Sequence, residues 1–271
     1  MDCSSLLGTQ KSIIGMVHLA PLPGAPGATT DLTAVCAAAR RDAERLVAGG
    51  VDGLMIENYG DSPFYPDDVP KHTVATMTRV GTAVQEAVDC PIGVNVLRND
   101  AEAALSVAAA VDADYIRVNV HTGLKATDQG LIEGMAHKTL RLREQLGVDC
   151  AILADLDVKH AAQIGSRRSI AAEFKDCVDR GHADGVIVSG AATGQRVGTE
   201  ALNEALDARG GRLLDASVCR QWGNRRVGRR TTRRSRRRDC RHRLERSRPD
   251  DESGHDRARR AVHGSRRTCS G

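Results

Sequence analysis

The sequence predicts an α/β protein of the (β/α)8 TIM-barrel class, and three observations carry that prediction. Apolar runs of strand length alternate with amphipathic helical patterns through residues 13–208. Nearly every run is preceded by the same kind of turn: "GGVDG", "AVDCP", "AVDAD", "GVDCA" or "GHADG". Six such units are then followed by an Arg-rich tail whose neighbouring reading frame permits two more strands. Strands that are apolar on both faces and alternate with helices form a parallel sheet with right-handed crossovers. An open doubly wound sheet is the alternative. A count of eight units, in a chain close to the roughly 250 residues usual for the barrel, decides against it.

The first strand is "IIGMVHL" (13–19), and residues 31–48 follow it with Ala, Val and Leu recurring at helical spacing. "GLMIEN" (53–58) leads to a helix over 72–88, and "PIGVNVL" (91–97) to one over 101–111. "YIRVNV" (115–120) precedes a helix over 129–146, "AILADLDV" (151–158) one over 169–180, and "GVIVSG" (185–190) one over 198–208. These six units define a body over residues 1–210.

The tail, residues 211–271, is a different text. Residues 1–209 hold 19 Lys+Arg against 28 Asp+Glu, a net of −9, whereas residues 210–271 hold 20 Arg, no Lys and 7 acids, a net of +13. An arm that neutralises phosphates normally mixes Lys with Arg, since both serve as counter-charges. The tail also lacks zinc-ligand spacing, heptads and an aromatic stacking platform. Taken as written it is a disordered polycation that holds nucleic acid only non-specifically.

The genetic code offers a sharper account. An Arg run encoded CGN-CGN and read one base later becomes GNC-GNC, the codons of Val, Ala, Asp and Gly. In that frame the codons opposite Ala216 to Val218 permit "PVY", and those opposite Cys219 to Asn224 permit "VGSGVT". Opposite Ser235 to Leu244 they permit "ADGVIVGTAL". The Gly opposite Trp222 has no freedom, because TGG followed by G must read GGG. A shift between about residue 205 and Ala216 would therefore have overwritten strands seven and eight. Strands one to six remain, and the open edges of the first and sixth invite aggregation.

A barrel places its active site at the C-terminal ends of its strands, and here those ends are polar. They carry His18, then Glu57, Asn58 and Asp61, then Asn95, Arg98, Asn99 and Asp100. Arg117, Asn119 and His121 follow on the fourth strand, Asp155, Asp157, Lys159 and His160 on the fifth, and Ser189, Thr193 and Gly194 on the sixth. Residues two apart share a strand face, so Arg117, Asn119 and His121 point one way, as do Asp155, Asp157 and Lys159. An Arg inside a barrel strand must be paired, and Asp155 and Glu57 are the expected partners. A plain interior ion pair fits those residues as well as a catalytic group does. The catalytic reading takes Glu57 or Asp155 as general base, beside Arg117, with Lys159 as an electrostatic clamp. His18, Asn95, Asn119, His160, Ser189, Thr193 and Gly194 are the candidate substrate-binding residues.

Seven ordered motifs resemble the BtpA/SgcQ family of (β/α)8 proteins. They are "GMVHLAPLPGAPG" (15–27), "GVDGLMIENYGDSPF" (50–64), "GVNVLRNDA" (93–101), "YIRVNVHTG" (115–123), "DQGLIEGMAHKTLRLR" (128–143), "LADLDVKHA" (153–161) and "ADGVIVSGAATG" (183–194). The resemblance covers roughly residues 11–208 and implies the barrel fold. The family's closing segments have the forms "PVlvGSGvT" and "ADGvIVGT", which the shifted frame recovers. Members in photosynthetic bacteria are known as photosystem I biogenesis factors, and relatives elsewhere are described as sugar- or nucleoside-related enzymes. The resemblance brings no established set of catalytic residues.

Phosphate-binding barrels hold the phosphate on Gly-rich loops after strands seven and eight. The recovered "GSG" and "VGT" turns fit that role, and "SGAATG" (189–194) is the one such loop left as written. Three functions follow, in order. The first is a cytosolic enzyme acting on a small, phosphorylated, sugar- or nucleoside-like substrate. The second is a non-catalytic assembly factor for a photosystem or another membrane complex. The third is a nucleic-acid-binding arm, which would bind in a salt-dependent way.

The chain shows no signal sequence and no apolar run near the 18 or so residues of a membrane span, so the expectation is a cytoplasmic protein, with peripheral membrane association left open. Eight Cys without a CxxC motif predict reduced thiols. His18 with Asp155 or His160 would offer metal ligands, but no compact ligand spacing supports a site; no metal and no cofactor is expected. A homo-oligomer is left open. The acid excess of the body fits adaptation to high salt and equally a GC-rich gene.

Overall fold

The computed structural model describes residues 6–7, 12–28, 31–166, 168–189, 199–209 and 217–220. Its elements are β1 (Ile14–His18), α1 (Leu32–Ala48), β2 (Gly53–Glu57), α2 (Lys71–Gln85), β3 (Ile92–Asn95), α3 (Ala101–Ala110), β4 (Tyr115–Val118), β5 (Leu124–Thr127), β6 (Gly130–Glu133) and α4 (Ala136–Leu146). They continue with β7 (Ala151–Leu156), β8 (Ala161–Gln163), α5 (Ile170–Lys175), β9 (Gly185–Val188), α6 (Thr199–Arg209) and β10 (Ser217–Arg220). All six expected strands are present as β1, β2, β3, β4, β7 and β9. They hydrogen-bond in that order in one parallel sheet that curls as a barrel does.

The helices begin where the sequence supplies caps. Asp31 accepts from the backbone N–H of Thr33 and Ala34 ahead of α1, Asp100 from Ala103 ahead of α3, and Ser169 from Ala172 ahead of α5. Gly147, at φ +63°, closes α4 in the left-handed conformation that glycine adopts without strain. Acidic side chains in three of the repeated turns pin the start of a strand to its neighbour, the first being Asp52, which accepts from Ile13 N at 2.8 Å. Asp114 accepts from Ile92 N at 2.8 Å, and Asp184 from Ile152 N at 2.8 Å.

Strand residues alternate between two cores. Leu54, Ile56, Val94, Ile116, Val118 and Ile152 pack outward against α1, α2 and α3. Met55, Tyr115, Ala151, Leu153 and Ile187 form a second cluster with Ile14 and Met16, the apolar floor of the barrel interior. Gly93 makes this floor possible, because a Cβ there would lie 2.1 Å from the ring of Tyr115.

Two features depart from the expected elements. The helix expected over 129–146 begins only at Ala136, and a three-stranded antiparallel sheet, ordered β6-β5-β8, stands ahead of it. Its strands are too short and too exposed to show an apolar period. The second departure is β10, a seventh parallel strand paired with β9 in the register Ser217↔Gly185 to Arg220↔Val188. The backbone edge of β9 supplies its partners at the point where the shifted frame was placed. β10 falls within residues 211–271, which were expected to be a disordered tail; no eighth strand exists among the described residues, and the rest of that tail lies outside them.

Candidate functional site

The inward positions that are apolar low in the barrel become polar one step further up the same strands. Met16 is followed by His18, Met55 by Glu57, Gly93 by Asn95, Tyr115 by Arg117, and Leu153 by Asp155. The period of two keeps each pair on one face. At the strand ends these polar groups meet in one connected network.

Arg117 is its centre. The guanidinium donates through Nε to both oxygens of Asp155 at 3.2 Å and through a terminal nitrogen to Oδ2 at 2.9 Å. A second terminal nitrogen lies 3.8 Å from Glu57 Oε1. Glu57 Oε1 also accepts from Asn95 Nδ2 at 2.6 Å, and its Oε2 lies 3.3 Å from His18 Nε2. Asn119 donates its amide to Asp155 Oδ2. Six of the predicted site residues are thus brought together: His18, Glu57, Asn95, Arg117, Asn119 and Asp155.

All but His18 are buried. Burial pushes the Glu57 carboxyl up, but His18, Arg117 and the Asn95 hydrogen bond together outweigh it and hold Glu57 below the usual carboxylate range. Burial likewise presses Arg117 down, and the carboxylates of Asp155 and Glu57 reverse it to a net rise. His18 remains 31% exposed and stacks on Tyr59, with ring centroids 4.5 Å apart.

Lys159 lies half-buried beyond the end of β7. Burial first, and then the charge of Arg117, lower its pKa against the opposing pull of Asp155 and Glu57. It is flanked by two residues in left-handed backbone conformations, Asp157 at φ 50° and His160 at φ 55°. That turn ends the strand at Leu156, so Asp157 and Lys159 do not continue the face of Asp155. The backbone N–H of Asp157 turns instead to Glu173 Oε2 at 3.0 Å. His160 is exposed, and Ser189 is half-buried at the end of β9. Thr193 and Gly194 lie outside the described residues.

Several polar strand ends hold loops rather than face the mouth. Asn58 accepts from Leu97 N at 2.7 Å. Asn99 clasps Val120 through both amide atoms, at 2.7 and 2.9 Å. Asp61 accepts from Leu22 N at 2.7 Å. His121 does not share the site of Arg117 and Asn119; its Nε2 pairs with Gly181 O at 2.8 Å, and burial lowers its pKa.

The sequence reading missed the small antiparallel sheet as a part of the mouth. It leaves the barrel after β4 and is fastened by a buried ion pair, Lys125 Nζ to Glu173 Oε1 at 2.6 Å. β5 and β6 are joined by the two-residue loop Asp128–Gln129, and β6 opens on Gly130 at φ +103°. Among the described residues no three His, Cys, Asp or Glu side chains are grouped to hold a metal ion. A groove of about 820 Å³ lies away from the mouth, between α5 and α6.

The chain matches the sequence model of the BtpA family over residues 9–217. It is 47% identical over 208 residues to the photosystem I biogenesis protein BtpA of Synechocystis sp., covering 77% of this chain and 72% of that one. It is 49% identical over 193 residues to an uncharacterized protein of Thermococcus kodakarensis, covering 71% and 72%. Among solved structures, 7,8-dihydropteroate synthase from Vibrio fischeri aligns with a TM-score of 0.45 at 16% identity, over 73% of this chain and 68% of that one.

Proposed function

We propose, from the premise that the chain belongs to the BtpA family, that its strand-end network is the active site of a cytoplasmic enzyme acting on a small phosphorylated, sugar- or nucleoside-like substrate. One observation carries this reading. A buried cation and two carboxylates compensate one another at the catalytic end of the barrel, where a merely structural interior would continue the apolar floor.

The roles follow from the contacts. Asp155, engaged by Arg117 and Asn119, fixes the guanidinium. Glu57 is held ionised below its ordinary range, so by itself it is a weak base at neutral pH. It orients His18, whose partly exposed ring moves the proton, in the arrangement of a base held by a carboxylate. Lys159 is the electrostatic clamp, with His160, Asn95 and the residues after β9, Ser189, Thr193 and Gly194, as substrate contacts. The experiment is a turnover assay of the full chain against phosphorylated sugars and nucleosides. His18→Asn should lower kcat about a hundredfold or more; an unchanged rate would remove His18 from the chemistry.

A second reading has its own observation, the name of the Synechocystis relative. In it the chain is a non-catalytic assembly factor for a membrane complex. No helix among the described residues is long and apolar enough to cross a membrane, so such a factor would act from the surface. It would co-sediment with membranes and turn over none of the compounds.

We also propose that the tail is out of frame. The family match ends at residue 217, beside the interval in which the shift was placed, and the Synechocystis relative is covered over only 72% of its length. Resequencing the codons for residues 195–250 tests this. A missing or extra base would give the seventh strand its Gly-rich turn and restore the eighth, and an intact reading would remove the proposal.

A further inference from the structure

Counting charges around the mouth gives a surplus that the carboxylates do not absorb. Asp155 and Glu57 are both engaged by Arg117. Two more cations border the same network. Arg98 is 8% exposed, yet among the described residues no carboxylate lies within ion-pair distance of it. Its guanidinium donates instead to the backbone carbonyl of Lys159. The Lys159 ammonium has no hydrogen-bond partner among the described residues. Burial depresses both cations, and Asp155 and Glu57 act on each from beyond contact, as does Asp128 of the hairpin turn on Arg98. A buried guanidinium without a counter-ion is costly, and such a cost persists where a ligand removes it.

A second, independent observation stands on the same network. Asn119 is 3% exposed, and its Oδ1 is buried without a hydrogen-bond partner while its amide nitrogen is spent on Asp155. Buried acceptors are nearly always satisfied. An orphan acceptor on a residue bound to Asp155, the carboxylate whose charge acts on both cations without contacting either, fits a ligand that brings a donor together with negative charge.

We infer that Arg98, Lys159 and the Oδ1 of Asn119 form a subsite for a hydroxylated phosphate monoester, the two cations taking the phosphate and Asn119 accepting from a neighbouring hydroxyl. The inference rests on the proposed active site. It moves the phosphate from the Gly-rich loops expected after the last strands to the ends of β3 and β7. Arg98 gives a planar fork and Lys159 a movable point charge, the two common ways of holding phosphate oxygens.

The test is calorimetric titration of the full chain with inorganic phosphate and with glycerol 3-phosphate, at constant ionic strength. Because the Arg-rich tail also attracts phosphate, the comparison is between variants that share it. Lys159→Gln should weaken both ligands about tenfold, the loss of a charge-assisted contact, while Lys159→Arg retains most of the affinity. Phosphate should raise the melting temperature of the parent but not of Arg98→Met, whose own melt also reveals any failure to fold. Glycerol 3-phosphate should bind several-fold more tightly than phosphate, through the Asn119 contact. Equal binding in Lys159→Gln would mean an adventitious ion only and overturn the subsite; equal affinity for the two ligands would overturn the part given to Asn119. If an uncharged compound is turned over while phosphate is ignored, the subsite fails and the enzyme reading stands. If Lys159-dependent binding is found without turnover of any phosphorylated compound, the subsite stands and the enzyme reading fails.

Discussion

The barrel interior holds two layers built from the same strands, two residues apart, and they obey opposite rules. The lower layer, Met16, Met55, Tyr115, Leu153 and Ile187, fills space with apolar side chains. The upper layer, His18, Glu57, Asn95, Arg117, Asn119 and Asp155, fills it with groups that must be paired to be tolerated there. Burial favours the first directly. The second is at best neutral for stability, since a buried ion pair often contributes no more than an apolar pair of the same volume. Charges retained where a Leu would stabilise more indicate a role outside folding.

The largest effect should come from breaking the upper layer by half. Arg117→Leu leaves Asp155 buried with Asn119 as its remaining described partner, and should cost about 3–5 kcal/mol in chemical denaturation. The double substitution Arg117→Leu with Asp155→Leu should recover most of that loss while abolishing ligand binding and turnover. If the double variant is as unstable as the single one, the upper layer is structural and the contrast collapses. Leu153→Ala, one step below Asp155, should cost about 2–5 kcal/mol through the cavity it opens. There the ligand affinity per folded molecule should remain, because the groups above keep their partners.

The contrast also governs what could be read from the sequence. Strand positions, helix positions and the polar ends were legible because a parallel barrel imposes a period of two inside strands and 3.6 between them. The pairing of Arg117 with Asp155 and Glu57 was legible for an energetic reason: a buried Arg admits few alternatives. Two things were not legible. The run "LKATDQGLIE" (124–133) has the length of a helical start, and its short strands are stabilised by pairing with each other and with β8 rather than by a periodic apolar face. Asp157 and Lys159 keep the strand spacing in the sequence, but the backbone leaves the strand at Asp157 under the pull of Glu173 on its N–H. Nothing at position 157 announces that turn. Nor does anything mark Arg98 as a cation without a carboxylate, because a missing partner is visible only in three dimensions.

A third test uses proton linkage to separate the layers. Glu57 titrates below its ordinary value in the folded chain, so its ionised form contributes stability that is fully present above the unfolded pKa. That contribution is lost as pH falls through the lower, folded value. Glu57→Gln should therefore flatten the acid limb of stability against pH, measured by urea midpoints in steps from pH 6 downward. Leu153→Ala should shift the same curve without changing its slope. A curve whose acid limb is unaltered by Glu57→Gln would mean that Glu57 is not held ionised by His18 and Arg117.

The smallest expected effect lies in a polar contact of the lower layer. Tyr115 is fully buried and donates its hydroxyl to the carbonyl of Leu54 at 2.6 Å, while its ring fills the space that Gly93 leaves open. Tyr115→Phe keeps the ring and removes the donor, so the loss should be about 0.5–1.5 kcal/mol, the net value of one hydrogen bond. Gly93→Ala attacks the same contact from the other side. There is no room for its methyl against the ring, so it should destabilise by more than the hydroxyl does, in the range of about 1–3 kcal/mol for overpacking. That ordering separates packing from hydrogen bonding in the floor. If Tyr115→Phe proves the costlier of the two, the hydroxyl anchors β4 to β2 and the floor is less purely a matter of filled volume than its composition implies.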